Sequence, residues 1–202
     1  MKIKFTLSIL LAFVVSSHLF GQDKFKLGVS AGATYSDIRG DLLTDQFEYD
    51  FGFLFGLSVE RSLSDKVSLI SNLNFERKKF ENESPLFSSG SPIGLVRHVV
   101  RDYLTLPVMA NAKFGKSKVL FVNGGVFIGY LLNAKFTSSD TDRKENVTHQ
   151  INRTDGGLSI GFGLALPLED TNKLNIELRD NIGLTGRYEK TNSISLIVGW
   201  SL

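Results

Sequence analysis

Nucleophilic catalysis needs a base held within hydrogen-bond reach of a serine, threonine or cysteine. The chain has three histidines, His18, His98 and His149, and no cysteine. His98 lies near Asp102 and serines are plentiful, but no fixed nucleophile–base spacing is visible. A triad is assembled in space rather than along the chain, and two solvated loop histidines account equally for His98 and His149. Asp140, Asp142 and Glu145 form an acidic segment, with Arg143 and Lys144 interleaved. That mixture suits a solvated hairpin tip better than a calcium loop. The expectation is a protein without catalytic residues, metal or cofactor.

A second group of polar residues is more informative. Glu60, Asn72, Asn74, Glu76, Asn111, Lys113, Asn123, Glu177 and Arg179 each alternate with apolar neighbours. They share their parity with the large apolar residues Leu54, Met109, Phe121 and Phe127. If that parity is enclosed, the opposite charges must pair, because an unpaired buried charge costs several kcal/mol. Arg179 is expected to bridge at least one of the carboxylates. Arg77, Lys78 and Lys79 form a run of three cations that could meet phosphates, or could be ordinary rim charges.

The elements that hold these residues have a period of two, the mark of strands. Phe25, Leu27, Val29, Ala31, Ala33 and Tyr35 share one face of the first, and Phe51, Phe53, Phe55, Leu57 and Val59 one face of the second. Val67, Leu69, Leu73 and Phe75 begin a third. Leu104 to Phe114 make a fourth, in which Pro107 lacks a ladder donor and calls for a bulge. Leu120 to Phe136, Leu158 to Leu166, Leu174 to Leu178 and Ile194 to Leu202 complete eight. Connections after the second, fourth and sixth are short. Polar loops are expected at 37–49, 82–97 and 137–154. The fold class is therefore all-β, an eight-stranded antiparallel up-and-down barrel.

Which face meets the solvent decides between two barrels. A soluble, lipocalin-like barrel points its apolar parity inward, and a transmembrane barrel points it outward. The other parity here is small, as in Gly28, Ser30, Gly32 and Gly157, Ser159, Gly161, Gly163, where a soluble surface would carry Lys, Glu and Gln. Aromatic residues on the apolar parity gather near strand ends. Tyr35, Phe51, Phe53, Phe75 and Phe136 fall at one rim, Phe25, Phe114 and Trp200 at the other. Two such girdles mark the two interfaces of a membrane barrel. The last strand, ending on Trp200 and Leu202, is expected to pair with the first and close the sheet. At the outer rim, Arg77, Lys78 and Lys79 could meet the phosphates of lipopolysaccharide, with ordinary rim charges the equal alternative.

Residues 1–21 read as a secretory signal peptide, with Lys2 and Lys4 before the apolar run Phe5–Val15. A buried N-terminal helix is the alternative. Residues 22–202 would be the barrel. The whole chain carries 23 Lys and Arg against 21 Asp and Glu. Removing Lys2 and Lys4 leaves 21 against 21, so the charge balance gives no warrant for nucleic-acid binding.

Four segments resemble the PorT-like outer-membrane β-barrel family of Bacteroidetes: Tyr103–Val108, Gly125–Leu132, Ser159–Gly163 and Glu177–Leu184. They are similar in order to its Tyr-Leu-x-Ile/Leu-Pro, Gly-x-x-x-Gly-Tyr-Leu, Gly-x-Gly and Glu-Leu-Arg-Tyr-x-x-Gly-Leu strands. Asp180 stands where that family usually has Tyr, and Leu202 where a terminal Phe is usual. The resemblance implies an integral barrel of the Gram-negative outer membrane, inserted by the outer-membrane assembly machinery. It does not settle an activity, since most members of that family lack one. Its partners would be lipid, lipopolysaccharide and, in the manner of PorT, proteins of a secretion complex. A non-enzymatic barrel with a plugged lumen and functional outer loops is the main expectation. A secretion accessory protein is the alternative, and a lipid-modifying enzyme a third class.

Overall fold

A computed structural model describes residues 25–40, 47–88, 91–115, 117–138, 144–149, 151–168, 172–185 and 189–201. The leader expected at 1–21, Leu202, Asp140 and Asp142 lie outside them. The strands are β1 Phe25–Gly40, β2 Phe47–Ser62, β3 Val67–Ser88, β4 Ser91–Phe114, β5 Leu120–Ser138, β6 Lys144–Asn146, β7 Thr154–Pro167, β8 Lys173–Gly183 and β9 Glu189–Ser201. Each pairs antiparallel with its sequence neighbour, except that β7 pairs with β5 across β6. β1 pairs with β9 from Gly28↔Ser201 to Gly40↔Glu189, which closes the sheet. Eight strands are staves of the barrel, and β6 is a three-residue strand laid beside the far end of β5. Closure removes the unpaired edge that an open sheet would present.

The alternation read in the sequence is the alternation of the barrel wall. Phe51 is 66% exposed and Ile128 64%, and apolar side chains of all eight staves share that outer face. Soluble monomers rarely expose apolar patches beyond a few hundred Å². A continuous apolar belt around a closed sheet is stable only in lipid, which excludes the lipocalin-like alternative. At the rim, Tyr35 stacks on Tyr49 and packs against Phe51, while Phe53, Phe55 and Phe75 form a second aromatic group.

The two ends of the barrel differ. At one, β2 turns into β3 within a few residues, and Ser64 Oγ accepts a hydrogen bond from the Val67 amide at 3.1 Å. The β4–β5 turn uses Gly115 at φ 80°, a left-handed conformation that costs glycine nothing. At the other end the strands run on. The polar segment 82–97, expected as a loop, is a β-hairpin paired from Asn82↔Arg97 to Ser88↔Ser91. Ladder bonds belong to the backbone, so this extension needs no apolar parity. Described residues of the 137–154 segment lie against β5: Ala134 donates its amide to Thr148 Oγ1 at 2.8 Å, and Leu131 to the Arg153 carbonyl at 2.7 Å.

Register shifts fall on β2, between Asp50 and Phe53, and on β5, and β4 departs from expectation at Pro107. β5 carries one extra residue where Asp102↔Asn133 gives way to Tyr103↔Leu131. A bulge of this kind shifts the alternation. Phe136, expected in the aromatic girdle, therefore packs against the buried cluster of Ile38, Phe80 and Val99. The bulge expected at Pro107 is absent. Register is kept from Ser71↔Val108 to Asn74↔Thr105, with no pairs between them, and the Ser71 hydroxyl donates to the Pro107 carbonyl at 3.1 Å. The ladder lapses for two residues instead of shifting.

Candidate functional site

The enclosed parity builds a stack of layers through the lumen. Nearest the long hairpins lies the apolar cluster Ile38, Phe80 and Val99, with the Arg101 guanidinium 5.5 Å from the Phe80 ring centre. Below it sits Lys78, which has no exposed surface. Its Nζ lies 3.0 Å from Thr191 Oγ1, 3.4 Å from Asp155 Oδ2 and 3.9 Å from Glu76 Oε1. The Thr191 hydroxyl donates to Asp155, and Ser193 donates to Glu76 at 2.9 Å. The Tyr103 and Phe127 rings face the ammonium at 5.1 and 5.8 Å. Two carboxylates, a hydroxyl and two π faces thus replace the water that the ammonium has lost.

The sequence reading placed Lys78 at the rim beside lipopolysaccharide, and the structure corrects this. Successive residues of a strand point to opposite faces, so the run Arg77-Lys78-Lys79 is split. Arg77 lies on the outer face, with Nε 2.6 Å from Asp102 Oδ1 and its second nitrogen 3.0 Å from Oδ2, over the Phe53 ring. Lys79 is half-buried on the same side. Lys78 is turned into the lumen.

Toward the short turns, Leu54, Met109 and Phe127 fill the middle of the barrel, all buried. Beneath them Arg179 forks onto Glu177, with contacts of 2.6 and 2.8 Å. Asn123 donates to the same carboxylate at 3.0 Å, and Arg179 reaches Asn72 at 3.5 Å. Lys113 pairs with Glu60 at 2.5 Å, nearest the short-turn end. Asn74 is buried in the wall between Glu76 and Asn72. Glu60, Asn72, Asn74, Glu76, Lys113, Asn123, Glu177 and Arg179 all face inward, but they form separate groups rather than one network. The cavity around the Glu177–Arg179 group has a volume of about 40 Å³. That is room for about three waters.

Sequence reasoning missed Asp155 and Thr191 as lumen partners. Asp155 follows a polar loop, and nothing local marks it as facing Lys78. His98 and His149, the two histidines considered for catalysis, lie apart. His149 Nδ1 is 3.4 Å from the Arg153 guanidinium on the 144–153 segment, and His98 is on β4.

The family model for the outer membrane protein beta-barrel domain matches residues 20–188. The chain belongs to that family. This outer-membrane barrel thus carries its lipid belt in the bilayer that the family's name implies. Among solved structures, the attachment invasion locus protein Ail of Yersinia pestis, in complex with the heparin analogue sucrose octasulfate, is 15% identical. It aligns with a TM-score of 0.46 over 88% of this chain and 97% of its own. OprG from Pseudomonas aeruginosa is 13% identical, with a TM-score of 0.47 over 88% of this chain and 95% of its own. Neisserial surface protein A is 14% identical, with a TM-score of 0.45 over 87% and 96%. No curated protein matches the barrel's sequence. Nothing about activity carries over from identities this low.

Proposed function

We propose that this barrel is a non-enzymatic outer-membrane protein with a plugged lumen, which acts through its long-hairpin end. The observation that supports this best is Lys78, with no exposed surface, held by groups from β3, β7 and β9. A conducting pore would hydrate such an ammonium. An eight-stranded barrel is just wide enough for its side chains to fill. With the lumen closed, function falls to residues 37–49, 82–97 and 137–154, on the side opposite the short turns. In outer-membrane barrels the short turns are periplasmic and the long connections extracellular. Export by a leader at residues 1–21 is part of this reading, and so is contact of Arg77 and Lys79 with lipopolysaccharide.

Reconstitution of pure protein in planar bilayers tests the plug. We expect no steady conductance, and large stable channels would overturn the proposal. The similarity of four strands to PorT-like barrels of Bacteroidetes favours a second reading, an accessory of a secretion complex. A pull-down from native membranes separates the two. A stoichiometric complex with other envelope proteins would support the accessory role, and recovery of the barrel alone would count against it.

A further inference from the structure

Beyond the lumen, three side chains converge where the long β3–β4 hairpin leaves the barrel. Asp50 on β2, Glu81 on β3 and His98 on β4 each offer a ligand atom, and these atoms lie within 4.8 Å of one another. All three residues are half-buried. Strand pairing puts them there. Glu81 is directly opposite His98, and Asp50 is opposite Lys79, two residues along β3 from Glu81 and on the same face. Asp50 Oδ1 accepts the Phe51 amide at 2.6 Å, which fixes the orientation of that carboxylate.

We propose that Asp50, Glu81 and His98 form a divalent-cation site of the zinc class. Two carboxylates this close repel one another unless a positive charge lies between them. Among the described residues, no hydrogen bond or ion pair joins Glu81 or His98 to a cation. The donor set selects the metal. Calcium and magnesium take oxygen ligands, whereas imidazole with carboxylates suits zinc and its first-row neighbours. Metal–ligand bonds of about 2.0–2.2 Å need the donor atoms roughly an ångström closer than the outer limit seen here. Rotation of the Glu81 and His98 side chains, which face each other across a regular part of the β3–β4 ladder, supplies that. Three protein ligands leave a fourth position open to an external group. The metal would also clip three strands together at the root of the 82–97 hairpin.

The test uses tag-free protein purified from membranes in detergent and titrated with Zn²⁺ by calorimetry, then with Co²⁺ by visible absorption. One equivalent should bind at micromolar metal. His98→Gln and Glu81→Gln should each weaken binding at least tenfold, and His149→Gln should leave it unchanged. The gel shift between unheated and boiled samples shows that each variant is folded. Absence of saturable binding would overturn the site. So would equal affinity in His98→Gln and the unaltered protein, since that pattern would mean an acidic patch with no role for the imidazole. Equal losses in His98→Gln and His149→Gln would overturn it too.

Discussion

A lysine with no exposed surface stays charged only while its countercharges stay. Removing Lys78 leaves Glu76 and Asp155 facing each other without the cation between them. Breaking a buried pair in this way costs about 3–5 kcal/mol. We expect Lys78→Ala to lose stability of that order in urea titrations of protein refolded into vesicles. Lys78→Met combined with Asp155→Asn should lose clearly less than the two single changes added together, because contacting residues are not additive. A sum without coupling would show that the two do not interact. Two adjacent glycines give a second contrast. A Cβ on Gly125 would stand 2.0 Å from the Val108 carbonyl oxygen, whereas one on Gly124 meets nothing within 4 Å. Gly125→Ala should therefore impair folding and Gly124→Ala should not, as read by the fraction of heat-shifted protein. Equal behaviour would contradict the close β4–β5 approach.

At the scale of elements, closure rests on the β1–β9 ladder. Without β9, both β1 and β8 become open edges, with backbone N–H and C=O groups unpaired in hydrocarbon. Each such group costs several kcal/mol. Truncation after Asn192 should abolish membrane assembly, while Trp200→Ala, which removes one half-exposed lipid-facing ring, should only reduce it. Normal assembly of the truncated chain, measured by protease resistance in membranes, would refute the closure. The elements also show where reading by alternation works and where it stops. Each stave includes a stretch with the apolar parity seen in the sequence. The 82–97 hairpin carries no such signal, because its pairing is made by backbone groups. Phe136 follows alternation up to the β5 bulge and then departs from it, since one added residue reverses the faces.

For the whole molecule, an apolar belt around the outside of a closed sheet specifies a lipid solvent. The barrel should remain in outer-membrane fractions after carbonate or high-salt washing, and it should migrate differently on gels before and after boiling. Recovery in a soluble fraction would be incompatible with apolar side chains as exposed as Phe51 and Ile128.

The sequence by itself determined the staves, their apolar face and the short turns, because a period of two is a local property of the chain. It was enough to read an all-β barrel and to put Glu177 and Arg179 on one face, two residues apart. It contained the position of Lys78 as well, since Lys78 shares the parity of Glu76; taking the three cations as a block obscured that. Only the tertiary structure decided which residues of different staves meet. Lys78 lies opposite Asp155 and Thr191, which are 77 and 113 positions away. Asp50, Glu81 and His98 converge although each is unremarkable in its own segment. Such meetings depend on the stagger of the strands around a closed barrel and on bulges that add a residue to one strand. Both are set by the closure of the whole sheet, and no short stretch of the chain encodes them.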